Sequence, residues 1–506
     1  MVKIVKKIIS LVLASLFLFS IKPVISLETL DVNEDLDPLV DITVTVKIQK
    51  IRSLEKLDLA NDKIGWIDFF GKPDFYVKVF INNQEFKSPI WKNTRYVNDP
   101  DWSATLNVPD DEENVQIKIQ LWDWNLGLDR LCDISGEYYD VLTDNFDVDL
   151  TYNIKTGHWS GEDYTNNEHI YSDPSGYGRL NGCDDGSVYQ KDRDCELWFD
   201  IYQNDYDGDT IPYWTEVNVF GTDPEVDNRG EDADEDGVPI EWEYKWGYYY
   251  QLRHESFYWY YDPFVWDDHK NIDVDGDSLT NYEEYLTSQW GSDPFRRDLF
   301  IELDQMEESP DGQKCILPEA AKELLRTAHD RQNIVYHLDD GTWEETGSEM
   351  IPFAESITQN QLQQVYYWNY FLHRDNNNWR KGVFHYGIVV NDAGFPGYCF
   401  RGNAFQISSS LIEDNPKRKL LDMNICYASV FMHETGHTFG FDPIPGHNTD
   451  SYYPWQPGWW KCAPYVSCMN YRYCYRMVDF SNGSNGKNDF NDWVRMDFNY
   501  FDRYSG

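Results

Sequence analysis

The chain has 506 residues, of which 41% are hydrophobic and 16% aromatic, enough for about three domains with real cores. Its 88 acidic residues against 43 basic ones give a net charge of −45. That balance excludes nucleic acid as a partner, because phosphate binding needs a basic surface.

Residues 1–26, "MVKIVKKIISLVLASLFLFSIKPVIS", carry Lys3, Lys6 and Lys7 ahead of an apolar run over 8–21, with Val24 and Ser26 as small residues at the end. The run is short for a bilayer span and reads as a secretory signal peptide. Its removal takes away four lysines and no acid, leaving −49. A secreted or cell-surface protein is expected, and its nine cysteines predict disulfides. Cys183 and Cys195 bracket a short polar loop, and Cys462, Cys468 and Cys474 crowd one segment.

Residues 40–203 read as short strands separated by turns. Ile42, Val44, Val46 and Ile48 alternate, as do Val115, Ile117 and Ile119, so an all-β sandwich is expected. "CELWFDIYQ" (195–203) closes this domain after a polar excursion. Asp68 and Asp74 precede one strand, and Asp123, Asn125 and Asp129 follow another. Two acidic loops at one end of a sandwich can hold calcium through hard oxygen ligands. The arrangement, with "NDPDW" at 98–102, resembles a C2 domain, with Asp99 where that family has Asn. The resemblance implies calcium at these five residues and contact with a membrane surface, a glycan or the cell envelope.

Residues 204–296 repeat one acidic template three times. Asp205, Asp207 and Asp209 precede Glu216; Asp232, Asp234 and Asp236 precede Glu243; Asp273, Asp275 and Asp277 precede Glu284. Acids at loop positions 1, 3 and 5 with a glutamate at position 12 match the ligand spacing of an EF-hand loop. Gly237 sits at position 6 of the second loop, whereas Gly208 and Gly276 sit at position 4 of the others. "GTDP" and "GSDP" follow the first and third loops, and "YDP" follows the second more loosely. Recurrence and the interspersed Trp, Tyr and Ile argue against a disordered acidic linker. The segment resembles thrombospondin type 3 calcium-binding repeats and is expected to be a calcium-rigidified spacer.

Residues 297–506 mix strand and helix signals, predicting an α+β domain. "RRDLFIELDQM", "NIVYHL" and "GVFHYGIVV" read as strands. "LPEAAKELLRTAHD" reads as a helix with Ala320, Leu324, Leu325 and Ala328 on one side, and a second helix runs from about Asp422 to Phe439. On that helix His433 and His437 stand four apart, hence on one face, with Glu434 beside the first. Two imidazoles there can hold one zinc, and Glu434 can take a proton from a water that the metal acidifies. Gly440 follows, and then "SCMNY" with Met469 and Tyr471.

These features resemble the metzincin metalloproteases, in which such a glycine and a Met-turn recur. The resemblance implies a structural role for Met469 below the metal, a catalytic assist from Tyr471, and a protein or peptide substrate. It also implies a His three residues past the glycine, where this chain has Pro443. His447, after "PIPG", is the favoured third ligand, with Asp442 as the alternative. An edge strand near "FHYGIVV" or "GNAFQISSS" would hold substrate by β-pairing. The expected function is zinc endopeptidase. The alternative is a noncatalytic, calcium-dependent surface adhesion protein with a structural metal site.

Overall fold

A computed structural model describes residues 42–54, 72–125, 128–136, 145–163, 178–185, 193–251, 256–414 and 421–500. The proposed leader and Asp68 lie outside the described residues.

The first domain is a two-sheet sandwich. Its strands are β1 (Thr43–Ser53), β2 (Phe75–Ile81), β3 (Gln84–Lys87), β4 (Tyr96–Asn107), β5 (Asn114–Asp123), β6 (Arg130–Leu131), β7 (Val148–Asn153), β8 (His158–Gly161), β9 (Gly178–Asn181) and β10 (Cys195–Gln203). One sheet runs β4-β1-β10-β9 and the other β3-β2-β5-β7-β8, with β6 on β5. Val44, Val46 and Ile48 of β1 face Ile117, Ile119 and Leu121 of β5 within one core, because alternate residues of a strand share a face. "NDPDW" forms the outer side of a bulge between Ile48 and Lys50 of β1, with Asp99 and Asp101 in the left-handed region.

β10, the last strand of the domain, is an inner strand of its sheet, since it pairs with β1 on one side and β9 on the other. Both of its faces are buried from Cys195 to Phe199. Leu197 and Phe199 enter the sandwich core, while Trp198 packs outward against Val335 of the C-terminal domain.

The acidic segment is a packed bridge, not a spacer that holds domains apart. Helix α1 (Ile240–Gly247), the hairpin β11 (Tyr248–Gln251) and β12 (Ser256–Trp259), and helix α2 (Asn281–Thr287) follow its loops. Trp242, Trp246, Tyr261 and Phe295 form a core with Trp198 and Val335. His158 Nε2 contacts the Tyr244 carbonyl at 2.9 Å, and Tyr244 Oη donates to the Thr156 carbonyl at 2.8 Å. The aromatic residues of the segment are what make it adhesive.

The C-terminal domain contains β13 (Asp298–Met306), α3 (Glu319–Asp330), β14 (Val335–Asp339), β15 (Met350–Ile351), β16 (Phe384–Val390), β17 (Gly397–Arg401), β18 (Ala404–Ser408) and α4 (Met423–Thr438). Its sheet runs β14-β13-β16-β18-β17, with β15 on β13. All pairs are parallel except β17 with β18. β13 and β16 are buried along their whole length, as strands of a parallel sheet covered on both faces must be.

On α3 the buried apolar residues are Ala321, Leu325 and Ala328; Ala320 is exposed. The buried surface is wider than the apolar stripe because a second partner covers the charged side. Arg52 of β1 pairs with Glu323 and, at 2.9 Å, with Asp330. Arg179 of β9 pairs with Glu196 and reaches Asn333, and Asn181 donates to the Asp330 carbonyl at 2.7 Å. Buried charges need such partners.

No disulfide forms among the described residues, against the sequence expectation. The Cys183 thiol donates to the Asp194 carboxylate at 3.4 Å, and Cys399 donates to the Arg401 carbonyl at 2.9 Å. No described helix is long and apolar enough to cross a membrane.

Candidate metal centres

Helix α4 starts at Asp422, whose carboxylate caps the Asn424 N–H at 2.9 Å. It ends at Gly440, whose φ of +69° and packing against the Tyr500 ring leave no room for a Cβ. The chain then turns back through "DPIPG". Gly446, at φ +76°, lies against the Asn470 side chain, and its carbonyl accepts from the Tyr471 N–H at 3.3 Å. This return brings His447 over the helix.

His447 Nε2 lies 3.1 Å from Nε2 of His433 and 3.1 Å from Nε2 of His437. Asp442 is exposed and stands outside this cluster. The His433 Nδ1–H donates to the Cys468 carbonyl at 2.8 Å, so its Nε2 lone pair points into the group. Burial, reinforced by the neighbouring imidazoles, holds His433 well below the usual imidazole range and His437 down at about 3. Burial also lowers His447. Three neutral imidazoles therefore converge, with separations near the roughly 3.3 Å that tetrahedral Zn–N bonds would set. The donor set fits zinc.

Glu434 is buried beside the edge strand β17, so closely that a Cβ at Gly397 would collide with its carboxylate. Burial pushes its pKa up to about 8, with the Cys399 backbone N–H acting in the opposite direction. The Tyr471 ring lies 4.4 Å from His447 and 5.7 Å from His433, and Tyr452 stacks over it at 4.9 Å. Burial raises the Tyr471 phenol above its ordinary range. Met469 is fully buried under the helix, where a Cβ at Gly436 would strike its sulfur. The histidines and Glu434 line an open cleft of about 960 Å³ whose wall includes Tyr398, Tyr452, Tyr453 and Trp459. The sheet edge on this cleft is β17, between the two stretches that sequence suggested; β16 and β18 are both internal.

The three acidic loops share one geometry. The position-1 carboxylate accepts from the position-6 N–H in each: Asp205 from Thr210, Asp232 from Gly237 and Asp273 from Ser278, at 2.7, 2.9 and 3.2 Å. The position-5 carboxylate accepts from the position-7 N–H of Ile211, Val238 and Leu279, all buried. Positions 4 and 6 are left-handed in every loop, whether or not the residue is Gly: Glu235, Thr210 and Ser278 have φ of 65°, 80° and 81°.

In the first loop Asp205, Asp207, Asp209 and Glu216 all converge; in the others the three aspartates group together. Buried oxygens of Asp205, Asp207, Glu216, Asp234, Glu243, Asp275 and Glu284 have no hydrogen-bond partner. Burial pushes Glu216 up to about 8, Glu243 to about 10 and Asp277 to about 7, with the neighbouring carboxylates adding to each rise. Orphaned, converging carboxylates of this kind fit a hard cation.

Sequence reasoning missed a second element of the repeat. The second oxygen of each position-5 aspartate accepts from the backbone of Asn228, Asp267 or Asp298, at 3.3, 3.2 and 2.6 Å. Each of these lies five residues after the "DP" aspartate (Asp223, Asp262 or Asp293), so "DPxxx[DN]" was the available signal. The loosely matching "YDP" closes in the same way as the others.

At the tip of the sandwich, Asp74, Asp123, Asn125 and Asp129 come together, but largely on one another. Asp123 accepts from the Asp74 N–H at 3.0 Å and from the Asn125 amide at 3.0 Å. Asp129 accepts from Tyr76 Oη at 2.8 Å, and Asp74 from the Asn93 N–H at 2.6 Å.

A C2 domain family model matches residues 27–137, so the N-terminal sandwich is a C2 domain. Similar solved structures include one titled "Structure of a C2 domain", at 12% identity and TM-score 0.19, covering 32% of this chain and 98% of that one. The human GIVD cytosolic phospholipase A2 is 13% identical with TM-score 0.17, over 32% of this chain and 17% of its own. The paired C2 domains of Extended-Synaptotagmin 2 are 12% identical with TM-score 0.19, over 35% of this chain and 45% of that one. No curated protein matches the sequence.

Proposed function

We propose that the chain is an exported, zinc-dependent endopeptidase of the metzincin kind whose acidic repeats bind structural calcium. The convergence of three neutral imidazoles beside Glu434, on the floor of a cleft next to a strand edge that is unpaired among the described residues, carries this reading. His433, His437 and His447 would hold zinc, which when bound supplies a Lewis acid that polarises a carbonyl and acidifies water. Glu434 accepts the proton of the attacking water and passes it to the departing amine. The outer edge of β17 pairs with an extended peptide and sets it across the histidines. Tyr471, beside His447, donates a hydrogen bond to the developing oxyanion. The test is casein cleavage by the full chain, with and without a zinc-selective chelator.

A second reading rests on the C2 domain: a calcium-dependent surface-binding protein that contacts a membrane or cell envelope. Failure of the zinc-loaded chain to cleave any member of a peptide library would favour that reading over the protease.

A further inference from the structure

The second acidic repeat has a histidine where the other two have none. His269, four positions ahead of the third loop, is fully buried with Nε2 3.1 Å from Asp236 Oδ2 and 3.5 Å from Glu243 Oε1. Its two counterparts, two residues past the bridging Asn228 and Asp298, are Gly230 and Phe300, which offer no ligand atom. In the first repeat the position-12 glutamate converges with all three loop aspartates; in the second, Glu243 converges instead with Asp236 and His269. Glu243 is fully buried, and neither of its oxygens has a hydrogen bond.

The imidazole is held in place for a ligand. Trp242 and Tyr261 pack edge-on against it at 5.7 and 5.0 Å. Asn281 Nδ2 lies 2.9 Å from Nδ1, and Asn281 Oδ1 accepts from Tyr261 Oη at 3.3 Å. An amide can present either its oxygen or its nitrogen. Turned over, the amide would accept Nδ1–H through its oxygen and donate to Tyr261 Oη, leaving the Nε2 lone pair facing the two carboxylates.

We propose that Asp236, Glu243 and His269 form a separate site for a borderline divalent metal of the zinc or manganese class, next to the all-oxygen set of Asp232, Asp234 and Asp236. Calcium takes oxygen ligands, whereas one imidazole with two carboxylates suits a first-row ion. Asp236 then bridges two cations of different kinds. The inference rests on the reading of these loops as cation sites.

The test counts zinc by elemental analysis in the full chain after dialysis in excess calcium, for wild type, His269→Gln and His447→Ala. Wild type is expected to carry two zinc equivalents, and each variant one. His269→Gln keeps its calcium content and its casein cleavage. Cobalt substitution supplies a second readout that needs no variant: two visible spectra, a strong one from the three-histidine group and a weaker one from the carboxylate-rich group. One zinc in wild type that His447→Ala abolishes, with calcium retained, would overturn the proposal and leave His269 a hydrogen-bond donor. Absence of calcium from every form would overturn the calcium reading of the repeats instead.

Discussion

His433 donates its Nδ1 proton to the carbonyl of Cys468, the residue immediately before Met469. One hydrogen bond thus ties the ligand helix to the loop beneath it and sets which imidazole nitrogen faces the cluster. Gly436 completes this contact, since a Cβ there would strike Met469 Sδ and crowd Phe480. Gly436→Ala should therefore cost about 1–3 kcal/mol by overpacking and weaken zinc binding as α4 lifts from the loop. Calorimetry with a zinc titration checks both; an unchanged melting temperature would show that the loop yields freely.

Glu434→Gln keeps the shape of the site and removes only the proton acceptor. Turnover on casein should fall by roughly a hundredfold or more, with zinc content and melting temperature unchanged. Wild-type turnover in that variant would sink the proposed mechanism.

Local spacing made the centre of the site readable in the sequence. His433 and His437 share a helix face by their four-residue separation, and acids at 1, 3, 5 and 12 marked each repeat before any fold was known. What stayed hidden depends on contacts between distant segments. His269 gains its place beside Glu243 only when the chain between two repeats folds back. β17 emerges as the edge only through the order of the sheet, and Ala320 is exposed because α3 turns its charged side toward the sandwich. Helix α4 is buried on almost every side, so its apolar pattern marked no single face, and the His-Glu-x-x-His spacing had to serve instead.

Stability should depend on pH without calcium and hardly at all with it. In chelator, burial raises Glu216 to about 8, against an ordinary value of 4.5. The folded chain then binds more protons than the unfolded chain, so stability falls as pH rises through that window. Calcium replaces those protons and flattens the dependence. Melting curves from pH 5 to 8 should show a falling midpoint in chelator and a nearly level one in calcium. Identical curves in the two conditions would refute cation binding by the repeats.

The C2 domain should be rigidly seated on the C-terminal domain. Arg52 is 3% exposed and neutralises Glu323 and Asp330 across that boundary. Arg52→Ala leaves both carboxylates buried without it, at a cost of about 3–5 kcal/mol. Lys78→Ala breaks the exposed pair with Glu85 and serves as a control, with an effect of about 1 kcal/mol or less. Denaturant titration of both variants checks the contrast; equal effects would mean that the buried cluster contributes nothing special.

The third ligand decides whether the histidine helix can hold its metal. His447 reaches both other imidazoles at 3.1 Å, whereas Asp442 is exposed at the start of the returning loop. His447→Ala should strip zinc from the three-histidine group during dialysis, because two imidazoles leave a catalytic zinc one protein ligand short. Asp442→Ala should keep that zinc, with any effect confined to the turn that leads to His447. Zinc stoichiometry in the two variants, measured beside His269→Gln to count the repeat site separately, gives the answer. Full zinc in His447→Ala with loss in Asp442→Ala would reverse the assignment and require the loop to swing its carboxylate inward by rearranging around Gly446.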